Sequence, residues 1–154
     1  MYRKICVAVD GSDSSHEAVR AASELARQFG ASLVLIHVIR PMKIPQELQR
    51  YIKEDDLATI RHSALENVGK EIVAKALEIA ISHEIEHAQT LILSGDPAGQ
   101  IIEVARKESA DLIVMGTRGL GKVEGALIGS ISRKVTEMSD MNVMIVKQRV
   151  RTNR

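Results

Sequence analysis

The feature that most constrains the fold is the alternation of short apolar runs with longer segments of helical periodicity. Between the runs, apolar residues recur at spacings of three and four, as in amphipathic helices. Short strands that are apolar on both faces and separated by helices are typical of parallel sheets covered on both sides. The sequence therefore predicts a three-layer α/β/α domain with a five-stranded, mostly parallel sheet over residues 1–148. Its predicted strands are Ile5–Val9, Leu33–Ile39, Gln89–Leu93, Asp111–Met115 and Val143–Val146.

Capping residues and turn formers set the predicted ends of the helices. Ser14 begins a capping-box pattern before the first helix, and Gly30 stands where the αL cap at its end belongs. Asp96 and Pro97 occupy the cap and first positions of a later helix. Residues 41–45, with a proline at each end, are predicted to be an irregular loop.

Composition excludes several classes of protein. The 154 residues carry 21 basic and 20 acidic side chains, and only two Tyr, one Phe and no Trp. A net charge of +1 and so few aromatic rings disfavour a nucleic-acid reader, and the basic tail 149–154 is predicted to be a solvated terminus. The single cysteine, Cys6, is predicted to be a buried thiol in a reducing compartment. Without a membrane-length apolar run or a signal peptide, a cytoplasmic protein with no membrane partner is expected.

Two loops that follow predicted strands carry unusual chemistry. The first is Asp10-Gly11-Ser12, and the second is a glycine-rich segment from residue 116 to residue 130. The second has the spacing Gly116-x-x-Gly119, nine residues, then Gly129-Ser130. Glycines allow bare backbone to approach a ligand, and free N–H groups at a helix N-terminus favour phosphate. In an open α/β sheet such loops border the ligand crevice, so the segment predicts an anion site.

Charged and hydroxyl side chains strengthen this interpretation. Ser130 and Ser132 are candidate hydroxyl donors, and Arg118 and Lys122 supply positive charge. Two other phosphate motifs match less well. A P-loop over residues 116–123 would need a hydroxyl at its last position, where Val stands. A dinucleotide fingerprint over residues 119–125 would belong after the first strand and not the fourth.

The chain resembles the universal stress protein family, specifically its ATP-binding branch. This resemblance implies a Rossmann-like fold of the adenine nucleotide alpha hydrolase-like type. One departure is Asp140-Met141-Asn142, where many members carry Cys-Pro before the last strand. The segments that carry the likeness are Ile5–Ser12, Leu35–Val38, Gly95–Ala98, Ala110–Gly119 and Gly129–Val135.

The resemblance also implies roles for individual residues. Asp10 would contact the ribose, Val9 and Val38 would line the adenine pocket, and Met115 would pack near the base or sugar. The ribose and phosphate contacts would come from the glycine motif and the following helix, that is from Gly116, Arg118, Gly119, Gly129, Ser130, Ile131 and Ser132. The implied cofactor is ATP, accompanied by Mg²⁺, with ADP or AMP as alternatives. No catalytic residue and no protein-bound metal are implied.

At the level of the whole protein, the resemblance implies a nucleotide-dependent regulatory module of the stress response with at most slow ATP hydrolysis. It also implies a homodimer through the last strand, Val143 to Lys147, and an unidentified protein partner. Two alternatives stay open. One is an enzyme that transfers adenylate or phosphate, although the loop after the first strand lacks the glycine-rich sequence of such enzymes. The other is a dimeric interaction module that holds AMP or no ligand.

Two histidine signals have simpler explanations. His83-Glu84-Ile85-Glu86-His87 matches a zinc-protease pattern that works only within a helix, yet it spans a predicted helix end. His37, at the end of the second predicted strand, is expected to be a hydrogen-bonded histidine at the core or its rim.

Overall fold

The computed structural model describes residues 1–41, 45–51, 53–117 and 128–148, without the side chains of residues 54–60. Strands and helices alternate through this part of the chain, which confirms the predicted α/β class. None of its helices is long and apolar enough to cross a membrane. In chain order the elements are β1 Lys4–Ala8, α1 Asp13–Phe29, β2 Ser32–Ile39, α2 Gln46–Gln49, α3 Glu54–Ser82, β3 Ala88–Ser94, α4 Pro97–Lys107, β4 Leu112–Gly116, α5 Ser130–Met138 and β5 Asn142–Val146.

The five strands form one parallel sheet in the order β3-β2-β1-β4-β5. The chain moves outward from β1 to β3 and then returns to the other side of β1 for β4. Val7 therefore has Leu35 of β2 on one side and Val114 of β4 on the other. Connections leave β1 and β4 in opposite directions, and this reversal opens a crevice beyond their carboxyl ends.

Each face of the sheet is covered by two helices. Side chains of β1 alternate between the faces, so Ile5 and Val7 pack with α1 and α3, whereas Cys6 packs with α4 and α5. Residues of the central strands are almost fully buried on both faces, as Val7 and Ile113 are, each with 0% exposure. Burial on both sides explains why these strands are continuous apolar runs.

Burial also governs the chemistry of the single cysteine. Desolvation raises the pKa of the Cys6 thiol to about 12, with a smaller contribution from the charge of Glu108. At pH 8 the thiolate population is then about a thousandfold below that of an ordinary thiol. We expect a thiol reagent such as DTNB to label native protein at least a thousandfold more slowly than protein in urea. Comparable rates in the two conditions would contradict the buried position of Cys6.

The start of α1 differs from the prediction. The helix begins at Asp13 with Ser12 as its cap, whose Oγ accepts the N–H of Ser15 at 3.1 Å. Ser14, the predicted cap, is buried, and its Oγ lies 3.3 Å from Oγ1 of Thr117 beyond β4. The capping-box assignment was therefore wrong by two residues, because tertiary packing places Ser14 inside the helix. Glu17 pairs with an arginine one turn later instead of capping.

The other predicted helix ends are confirmed. Gly30 adopts the αL conformation with φ +65°, and the Asp96 carboxylate accepts the N–H of Gly99 at 2.9 Å. The predicted irregular loop lies partly outside the described residues, and its continuation forms the single-turn helix α2. The helix before the third strand ends at Ser82, as the apolar spacing indicated.

Candidate functional site

A cavity of about 170 Å³ lies beyond the carboxyl ends of β1, β2 and β4. Three segments of the sheet form its floor: Ala8 to Asp10, Ile36 to Val38, and Met115 with Gly116. The first turns of α4 and α5 close its sides through residues such as Pro97 and Ile131. The cavity therefore occupies the crevice that the reversal of strand order creates.

The structure brings most of the predicted site residues together. Those lining the cavity are Val9, Asp10, Val38, Met115, Gly116, Ile131 and Ser132. Gly129 and Ser130 do not line it but lie at the cap and first position of α5, beside two residues that do. Arg118 and Gly119, together with Lys122, lie outside the described residues.

The N-terminus of α5 faces the cavity without a side-chain cap. Gly129 is the cap residue, and its carbonyl accepts the N–H of Arg133 at 3.0 Å, which starts the helical ladder. The N–H groups of the first turn precede that ladder and have no intrahelical acceptor. Two of them belong to Ile131 and Ser132, which border the cavity. Such N–H groups, at the positive end of a helix dipole, form a favourable environment for a phosphate group.

Two hydrogen bonds fix this helix end to the end of β4, and a third joins the residue after β4 to β5. The Gly129 N–H donates to the Thr117 carbonyl at 2.6 Å, and the Thr117 N–H donates to Val146 of β5 at 3.1 Å. The Ser132 hydroxyl donates to the Gly116 carbonyl at 2.9 Å. Its one hydrogen is therefore bonded within the protein, and the predicted donation to a ligand, which would require this bond to break, stays a prediction. The backbone N–H of Ser132 lies in the first turn of α5, as predicted.

Gly116 lines the cavity, but the structure gives a different reason for glycine at this position. A Cβ here would collide with Oγ of Ser14 and lie 2.7 Å from its carbonyl carbon, closer than real Cβ contacts. Gly116 therefore permits close packing of β4 against α1. This steric requirement is an additional reason for glycine here, and the expected approach of a ligand to Gly116 stays a prediction.

Asp10 combines a structural contact with an open acceptor. Its Oδ1 accepts the N–H of Ser12 at 2.9 Å, which fixes the turn between β1 and α1. Within the described part of the chain, Oδ2 has no hydrogen-bond partner. Because an ionised carboxylate only accepts hydrogen bonds, this oxygen suits the hydroxyl groups of a sugar.

His37 joins the first two strands at the cavity floor. Its Nδ1 lies 2.8 Å from the Val9 carbonyl oxygen, and a carbonyl can only accept, so Nδ1 carries the hydrogen. The ring packs so closely on α3 that a Cβ on Gly69 would lie 3.1 Å from Cδ2. The prediction of a hydrogen-bonded histidine at the rim of the core is confirmed.

Sequence reasoning missed several residues that line the cavity. Two patterns could have found three of them. Arg40 follows Val38 at the spacing of two that keeps side chains on one face of a strand, and Pro97 and Ile101 lie one helical turn apart on α4. The missed residues are Ala8, Ser15, Ile36, Arg40, Pro97 and Ile101.

The zinc-protease pattern is split by the end of α3. His83 is the C-cap residue, and its Nδ1 lies 2.9 Å from the Ile79 carbonyl oxygen. His87 lies beyond the helix, next to β3. The described residues contain no group of three side chains placed to hold a metal ion.

Comparison with known proteins places the chain in a family. A profile of the universal stress protein family matches residues 1–147. The universal stress protein YxiE of Bacillus subtilis is 33% identical over 150 residues, covering 96% of this chain and all of the relative. This protein therefore belongs to the universal stress protein family.

Solved structures share the fold over nearly the full chain. Universal stress protein UspA from Lactobacillus plantarum superposes with a TM-score of 0.81 at 23% identity, covering 94% of this chain and 97% of the other. A universal stress protein crystallised with cAMP gives 0.72 at 27% identity, covering 96% and 99%. One from Archaeoglobus fulgidus in complex with dAMP gives 0.68 at 25% identity, covering 95% and 98%.

Proposed function

We propose that this chain binds an adenine nucleotide, with ATP as its ligand, and works as a nucleotide-dependent regulatory module. The observation that carries the proposal is the cavity at the β1–β4 reversal, which is bordered both by an uncapped helix N-terminus and by Asp10 with its open carboxylate oxygen. A phosphate-binding end and a sugar-binding end on one small cavity match the parts of a nucleotide. The relatives solved with cAMP and dAMP support adenine as the base.

Each part of the ligand has a matching group in the described chain. The base packs on the aliphatic side chains of Val38 and Met115, and the sugar hydroxyls donate to Oδ2 of Asp10. The first phosphate accepts N–H groups of Ile131 and Ser132 at the start of α5.

ATP is proposed over AMP because of the segment between β4 and α5. Arg118 and Lys122 bring positive charge next to the glycine motif, and further phosphates with their Mg²⁺ would lie on that side. The proposal assigns no catalytic residue and at most slow hydrolysis. Binding that alters the surface of the protein, and not turnover, is then the functional event.

Nucleotide binding can be tested with protein stripped of bound ligand. Titration calorimetry with ATP and Mg²⁺ should give stoichiometric binding. At a hundred times Kd the ligand stabilises the folded state by about 2.7 kcal/mol, which raises Tm by roughly 5–10 °C. UTP at the same concentration is the control for charge and Mg²⁺ binding and should give a much smaller shift. No heat with ATP, ADP or AMP, together with an unchanged Tm, would refute the proposal.

The last strand supports a second part of the proposal, a homodimer. β5 lies at the edge of the described sheet, and its side chains from Val143 to Val146 are only half-buried. An unpaired edge strand with apolar side chains favours pairing with another strand, and a second copy related by a two-fold axis supplies one. The predicted interface, Val143 to Lys147, coincides with this edge.

A charge placed on β5 should separate the dimer. Light scattering is expected to give twice the 16.9 kDa chain mass for the wild type and a single chain mass for Val143→Lys. Lysine on an edge strand opposes pairing because its charge would be buried at the seam. Met138→Lys, at a position 61% exposed on α5, is the matched control and should remain dimeric. A monomeric wild type at tens of micromolar would contradict the proposed interface.

A further inference from the structure

Arg40 lies at the rim of the cavity, directly after the end of β2. The alternation of side chains along a strand continues the row of Ile36 and Val38, so all three face the cavity. The Arg40 side chain is exposed, and the described residues offer it no hydrogen bond or ion pair. By contrast, Arg20 pairs with the Glu17 carboxylate at 2.6 Å, and Arg106 pairs with the Asp140 carboxylate at 3.2 Å.

The position of Arg40 in the sheet separates it from the phosphate end of the cavity. β2 and β4 are separated by β1, so they lie about 10 Å apart at the usual strand spacing. The start of α5 is fastened to the end of β4 through Gly116 and Thr117. Arg40 therefore borders the opposite side, where Val38 supports the base.

The cavity has largely aliphatic walls, and the His37 imidazole at its floor is held by the Val9 carbonyl. The Phe and Tyr residues of the sequence lie elsewhere: Tyr2 and Phe29 contact each other edge to face at 5.5 Å, and Tyr51 is 78% exposed beside Arg50. A base resting on Val38 and Met115 would thus have one face open to solvent. A planar guanidinium can cover such a face through stacking and cation–π attraction.

We propose that the Arg40 guanidinium stacks on the solvent-facing side of the bound nucleobase and sets affinity for it. This inference rests on the proposed function and adds a recognition residue on the nucleoside side. Arg40 then contacts the base and not the phosphates. Its contribution to affinity should therefore be the same for adenosine, AMP and ATP, which differ in charge.

The experiment measures Kd for adenosine, AMP and ATP with wild type, Arg40→Gln and Arg40→Lys. Stacking does not depend on the phosphates, so Arg40→Gln should weaken all three ligands by the same factor, about fivefold. Arg40→Lys should lose nearly as much, because an ammonium group keeps the charge but not the plane. Arg106→Gln, at the far end of α4, is the matched control and should bind as the wild type does.

Other outcomes overturn the inference in distinguishable ways. A loss that grows from adenosine to ATP and is rescued by lysine would assign Arg40 to the phosphates. Unchanged affinity for AMP and ATP in both variants would show that Arg40 makes no contact with the ligand. If wild-type protein binds none of the three ligands, the proposed function fails first, and the Arg40 assignment fails with it. Because Arg40 is exposed, both Arg40 variants should melt at the wild-type Tm.

Discussion

Gly129→Val is expected to weaken ATP binding at least a hundredfold while the protein stays folded. Gly129 has φ −67° and ψ 162°, an extended conformation that valine adopts without strain. The branched side chain would stand at the cap of α5, next to the N–H groups proposed to hold the phosphate. Loss of one or two such charge-assisted contacts, plus exclusion of the ligand, accounts for a change of this size.

Calorimetry with ATP on the variant measures this effect, and circular dichroism checks the fold. Ile128→Val, at the preceding and partly exposed position, is the control and should bind as the wild type does. Valine is a poorer cap than glycine, so a loss of about 1 kcal/mol in stability is expected and is separable from the binding defect. A folded Gly129→Val protein with unchanged Kd would contradict the phosphate assignment.

Gly116→Ala is expected to destabilise the fold by about 3 kcal/mol and to lower Tm by roughly 6–12 °C. The new Cβ would lie 2.7 and 2.8 Å from the backbone carbonyl atoms of Ser14, and backbone cannot rotate away as a side chain can. Relief requires α1 to move off β4, which would open the core between them. Chemical denaturation with urea measures the change in the free energy of unfolding.

A double variant distinguishes backbone crowding from side-chain crowding. Ser14→Gly removes the hydroxyl that also meets the added Cβ, but it leaves the carbonyl atoms in place. We therefore expect it to recover only a small part of the stability that Gly116→Ala loses. Gly99→Ala, whose Cβ would approach only the Asp96 side chain, at 3.2 Å from Oδ2, is the control and should change stability by less than about 1 kcal/mol. Full recovery in the double variant would contradict the packing account.

Local patterns were sufficient to predict the architecture. Continuous apolar runs identified β1, β2 and β4 because burial on both faces removes the polar alternation of an exposed sheet, whereas the edge strands β3 and β5 are only partly buried. The caps at Gly30 and Asp96 were predictable because each acts on its own chain within a few residues. The Ser14 prediction failed because the hydroxyl contact with Thr117 spans 103 positions in sequence, which no local pattern records.

In the candidate site, too, local patterns predicted some features, and contacts between residues far apart in sequence determined others. Val9, Asp10 and Met115 could be placed at one edge because the carboxyl ends of parallel strands meet there. The sequence could not show that the Ser132 hydroxyl bonds within the protein while its backbone N–H borders the cavity. The acceptor of the hydroxyl, the Gly116 carbonyl, lies sixteen residues away. Arg40 belongs to no motif, and the only local signal for it is its spacing of two from Val38, which places both on the cavity side of β2.

Two measurements distinguish a regulatory nucleotide binder from a transfer enzyme: the identity of the bound ligand and the rate of ATP turnover. Mass spectrometry of small molecules released from freshly purified protein should detect an adenine nucleotide. A transfer enzyme would turn over ATP rapidly with a small-molecule acceptor, whereas a regulatory module would keep its nucleotide for many minutes. Rapid acceptor-dependent turnover would contradict the regulatory proposal without affecting the binding site.

An amide NMR titration of the stripped protein with ATP tests most directly whether a nucleotide occupies the cavity. We expect the largest chemical-shift changes at the backbone N–H groups of Ser130, Ile131 and Ser132, with further changes at Asp10 and Val38. The amide signals of residues at the opposite end of the sheet, such as those near His87, should not change their chemical shifts. Changes confined to other surfaces, or none at saturating ATP, would contradict a nucleotide site in the cavity between β1 and β4.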